Sequence, residues 1–77
     1  MDKLDSQIEI KTAQIAEKIK ALRIEKGFTN HETFAYEYEF NRAYYWRVEK
    51  GQNITIKTLL RILAIHELSL EEFFKGL

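Results

Sequence analysis

Without a single proline and with only three glycines among 77 residues, the chain has almost none of the turn chemistry that a β-sheet requires. A string of helices with short connections is what such a chain can build. Its length allows one small domain, and no repeat, linker-like run or low-complexity tract divides it. A chain this short buries only a little over ~60% of its unfolded surface, so it has little stability to spare and gains from a dimer partner. The absence of cysteine excludes disulfides, a zinc knuckle and a thiol nucleophile together. The mixed-charge start and the lack of any long apolar run lead us to expect neither a secretory leader nor a membrane span, with the cytoplasm as compartment.

Periodicity and caps place five helices. Ile15, Ile19 and Leu22 recur at helical spacing through about residue 26, and Gly27 ends that helix. Ile8 extends the stripe, so the helix can begin as early as Ser6, with residues 1–12 expected as a partly helical or frayed extension and 13–77 as the domain. Thr29 with Glu32 forms an S/T-x-x-E spacing that opens a second helix of about two turns carrying Phe34, Ala35 and Tyr38, and Asn30 is the rival cap. Asn41 caps a third helix over 42–49, with Tyr45 and Val48 inward, stopped by Gly51. Thr55 caps a fourth, with Leu59, Leu60, Ile62 and Leu63 inward. Ser69 and Glu72 form a second box before Phe73 and Phe74.

Three or four residues around Glu39 to Asn41 separate the second and third helices, the connection length of a helix-turn-helix. Arg23 stands near the end of the first helix, Lys26-Gly27 close it, Phe34-Ala35 lie in the second, and Glu49-Lys50-Gly51 follow, the glycine falling sixteen positions after Ala35. Over about residues 13–75 this resembles the phage repressor and Cro (XRE) family. The resemblance implies an all-α, five-helix lambda-repressor-like DNA-binding domain, with Arg23 and Glu49 as a structural ion pair. Burial decides whether that pair is costly to break or a weak surface contact. Two departures stand out: Glu39 and Glu67 occupy places where the family commonly has glycine, and His66 one where it tends to have an apolar residue.

Net charge is zero, but it is unevenly spread: residues 41–61 carry five bases against one acid, whereas residues 1–40 carry six against eight. The positive field therefore concentrates on the third helix and the loop after it. With Tyr45 and Val48 inward, Arg42, Ala43, Trp46 and Arg47 lie along the outer face as base readers. The arginine fork matches guanine N7 and O6; Ala43 can meet a thymine methyl or simply favour the helix. Trp46 is first expected to pack sideways on Tyr44 or Arg42, with base stacking or a protein interface as alternatives. Phosphate contacts are expected from Asn30, His31, Asn41, Tyr44, Lys50, Asn53 and Lys57, each of which also has a bland use as cap or solvated side chain.

No H-x-x-x-H, phosphate loop or paired nucleophile is present, so neither metal, cofactor nor enzymatic activity is expected. The expected function is sequence-specific double-stranded DNA binding by a homodimeric repressor on a near-palindromic site, sealed by Phe73, Phe74 and Leu77 or by the extension of the first helix. Because the chain ends after the fifth helix, regulation is expected from concentration, a partner or turnover. The alternative is a protein-interaction module, an antitoxin-like partner or adaptor on the same fold.

Overall fold

In the computed structural model, which describes residues 3–52 and 54–77, five helices follow one another: α1 (Lys3–Glu25), α2 (His31–Glu37), α3 (Arg42–Glu49), α4 (Ile56–Ile65) and α5 (Leu70–Phe74). There is no strand among the described residues, so the chain is an all-α, five-helix domain. Among the described residues no helix is long and apolar enough to cross a membrane.

The caps are read directly from residue chemistry. Asn30, Asn41 and Thr55 each accept a hydrogen bond from the backbone N–H three residues on, satisfying an otherwise orphaned donor. Asn30, not Thr29, thus opens α2. Ser69 and Glu72 complete a reciprocal box, and its hydrogen bonds hold the Glu72 carboxyl below the usual carboxylate range.

Four helices end in one way. The residue after the C-cap turns left-handed at Gly27 (φ 103°), Glu39 (59°), Gly51 (90°) and Glu67 (56°). The next N–H reaches back to a carbonyl five residues upstream: Phe28 to Arg23, Phe40 to Ala35, Gln52 to Arg47 and Leu68 to Leu63. This is the Schellman closure, which favours glycine at its left-handed position and an apolar residue after it. Phe28, Phe40 and Leu68 supply that apolar contact by packing on the core. At positions 39 and 67 the closure is kept although the residue is glutamate.

The core joins one residue or more from every helix: Ile19, Phe34, Ala35, Tyr45, Val48, Leu59, Ile62, Leu63 and Phe73, with Phe40 from the α2–α3 connection. Phe34 lies at its centre, ringed by Phe28, Tyr38, Tyr45 and His66 at centroid separations of 4.8–5.7 Å. Tyr45, Phe34 and Phe73 are the bulkiest of the fully buried side chains, and each aromatic buries a large apolar area.

Three details differ from the sequence expectation. Helix α1 is already helical at Lys3 and runs unbroken across residue 12, with Leu4 and Ile8 exposed because the bundle does not extend beneath them. Leu60 is 45% exposed rather than inward, since α4 needs only Leu59, Ile62 and Leu63 to fill its side of the core. Phe73 is fully buried while Phe74 is partly exposed against it, the two rings meeting edge to face at 5.0 Å. Phe73 therefore serves the monomer's own core and is not open to seal a dimer.

Candidate nucleic-acid interface

The α3 helix is held from behind by two buried side chains and one ion pair. Tyr45 and Val48 fill the core. At its last turn the Glu49 carboxylate accepts Nε–H and Nη2–H of Arg23 at 2.8 and 3.0 Å, and Nη1–H of Arg23 is donated to the Phe28 carbonyl at 2.7 Å. The two side chains are only 5% and 6% exposed. This bidentate, buried pair ties the end of α1 to the end of α3, and the hydrogen bonds that Arg23 donates to Glu49 hold its guanidinium even more firmly protonated than usual. Against it lies the buried Tyr45 hydroxyl, which has no hydrogen-bond partner of good geometry. Burial first, then the nearby Glu49 carboxylate, push its ionisation far upward, so it stays a neutral phenol.

The opposite face is open. Arg42, Ala43, Trp46 and Arg47 are all exposed. Arg42 is not solvated alone: its Nη1 donates to Oε2 of Glu32 in the first turn of α2 at 2.8 Å. Trp46, 45% exposed, has Nζ of Lys50 one turn on over its ring, at 5.4 Å. That i,i+4 spacing brings the cation over the ring, where a partly exposed pair is worth about 0.5–1 kcal/mol. Arg47 makes no ion pair among the described residues.

The residues expected on phosphate divide into three groups. Asn30 and Asn41 spend their side-chain oxygens as caps, accepting from Thr33 and Tyr44 N–H. Tyr44 is half-buried and donates its hydroxyl to Oγ1 of Thr58 at 3.1 Å, tying α3 to α4; its role is inward, because that oxygen is already engaged. Lys50 and Lys57 are exposed, His31 is half-buried as the first residue of α2, and Asn53 lies outside the described residues.

One residue of this region carried no recognised signal in the sequence. Arg61, on α4, stacks its guanidinium on the Phe40 ring at 4.2 Å and donates to the carbonyls of Tyr38 and, more weakly, Glu39, at 3.3 and 3.5 Å. It caps the carbonyls left by the end of α2, a job that lysine or arginine does well, and does so from a different helix. Its distance of more than twenty residues along the chain hid it.

On the far side of the core, His66 caps α4 and stacks on Phe34 with rings nearly parallel (6°) at 5.7 Å. Its Nε2 is buried without a hydrogen-bond partner. Burial, and then the neighbouring Lys26, push its pKa below the ordinary 6.5. Among the described residues, no three His, Cys, Asp or Glu side chains are placed to hold a metal ion.

Compared with protein-family models, with curated proteins and with solved structures, the chain gives no significant match to any of them.

Proposed function

We propose that this chain binds double-stranded DNA sequence-specifically, as a small homodimeric repressor that reads the major groove with α3. One observation carries the reading. An eight-residue helix, roughly 12 Å long, stands behind a short connection from α2, fixed from within by Tyr45, Val48 and the Arg23–Glu49 pair, with Arg42 and Arg47 turned outward. Rigid support behind and guanidinium donors in front are what direct readout of base edges needs. Lys50 at the end of α3 and Lys57 in the first turn of α4 add exposed charge suited to phosphates.

The resemblance to phage repressors and Cro supports the same reading through the spacing of Arg23, Ala35 and Glu49. A two-fold dimer would set its two α3 helices about 34 Å apart on a near-palindromic site. Selection of duplexes from a random pool, followed by binding across a salt series, tests it. A recovered motif whose log affinity falls steeply with log salt supports the proposal; no binding to any duplex at low salt refutes it.

A second reading, a protein-interaction module, is favoured by two exposed aromatics, Tyr36 on α2 at 86% and Trp46 on α3 at 45%. Exposed aromatics with neighbouring arginines are common anchors of protein interfaces. Affinity for a protein partner that is insensitive to salt, without duplex selection, would favour it.

A further inference from the structure

The Glu32–Arg42 ion pair invites a reason for its existence. Its side chains are 55% and 71% exposed, and pairs in that setting add little to stability. Arg42 is the first residue of α3, and α3 carries no acid in its first turn, so the helix dipole opposes the guanidinium there. Glu32, in the first turn of α2, sits where its dipole favours a carboxylate. Each helix start therefore holds one half of a pair that neither helix needs alone.

The pair leaves donors unused. Arginine presents five N–H groups in a planar fork, and Glu32 takes only Nη1, through Oε2. Among the described residues Nε and Nη2 of Arg42 make no hydrogen bond, so one two-donor edge stays available, matched to N7 and O6 of guanine.

We infer that Glu32 is a specificity-determining positioning residue, which holds Arg42 by one nitrogen so that its remaining edge is presented to guanine, while its carboxylate competes with phosphate for the same cation. The inference rests on the DNA-binding reading above. On a non-cognate duplex, Arg42 stays on Glu32 and the carboxylate meets the phosphate field unfavourably. On the cognate site, guanine takes the unused edge without breaking the Glu32 bond. The penalty applies everywhere and the reward at one base, which is how discrimination exceeds bare affinity.

The test uses the full chain: wild type, Glu32→Gln, Arg42→Ala, the double variant, and Glu37→Gln as a control that removes an equal charge from the same helix. Binding is measured on the selected duplex, on copies with each guanine replaced in turn by 7-deazaguanine, and on random-sequence duplex. Glu32→Gln is expected to bind the random duplex about 3- to 10-fold more tightly, with a salt slope steeper by about one. Its preference for guanine over 7-deazaguanine at one position falls by about tenfold. Glu37→Gln keeps that preference, and in the Arg42→Ala background Glu32→Gln changes it no further. Retained discrimination in Glu32→Gln, or an equal loss in Glu37→Gln, overturns the inference while the DNA-binding reading stands. Failure of the wild type to select any duplex defeats both.

Discussion

Replacing Glu49 with alanine removes the carboxylate that neutralises Arg23 and leaves a guanidinium, 5% exposed, with its bond to the Phe28 carbonyl. Stranding one member of a buried pair costs about 3–5 kcal/mol. A chain of 77 residues, at roughly 0.05–0.15 kcal/mol per residue, holds only about 4–12 kcal/mol in total. The change therefore consumes a large part of the stability and lowers Tm by about 12 °C or more, at about 4 °C or more per kcal/mol for a domain of this size. Urea unfolding followed by far-UV circular dichroism reads it as a lower midpoint at constant slope. The double change Arg23→Met with Glu49→Leu is expected to recover most of the loss, because apolar groups of similar volume replace both charges at once. A loss below about 1 kcal/mol for the single variant, the range of solvated pairs, would refute the buried-pair account. So would a double variant as unstable as the single.

Acidification is expected to destabilise the protein through His66. Its folded pKa is depressed below 6.5, so the unfolded chain binds more protons between the two values; the contribution is complete above the unfolded value and is lost progressively as pH falls below it through the lowered folded value. Unfolding midpoints at pH 7.5 and 5.5 check this, and His66→Phe should show a smaller drop, an unchanged drop counting against it. Glu39→Gly and Glu67→Gly should each stabilise the fold, by about 1 kcal/mol, by relieving a left-handed non-glycine; thermal melts that fall instead would contradict the strain argument. Arg42→Ala and Arg47→Ala should weaken binding to the selected duplex while changing stability by under about 0.5 kcal/mol; unfolding of either would show that the outer face of α3 is misassigned.

What could be read from the chain was what neighbouring residues decide among themselves. Asn41, Thr55 and the Ser69–Glu72 box are caps within four positions of their targets, and Tyr45 with Val48 follows from the turn of a helix. Thr29 and Asn30 offered equal local chemistry, and only the path of the chain after Phe28 chose Asn30. Leu60 was misplaced because a spacing rule gives the width of an apolar stripe but not how much of it the neighbours cover. Lys50 is the expected distance from Trp46 for an i,i+4 partner, yet several side chains competed for that ring. The bonds Glu32–Arg42, Tyr44–Thr58 and Arg61–Tyr38 cross between helices, and no period within one helix encodes them. The left-handed turns at Glu39 and Glu67 are marked only by the resemblance, whose glycine places they fill, because glutamate is not the residue that such a backbone prefers.

The reach of Arg61 into the connection before α3 has a practical consequence for anyone who would transplant that unit. A peptide spanning residues 30–52 carries both helices, their caps and the bend between them, but the brace on that bend arrives from a part of the chain it lacks. Grafted onto another scaffold, such an excerpt should keep its helical caps and lose its set angle, unless the host supplies an equivalent cation over the ring of Phe40.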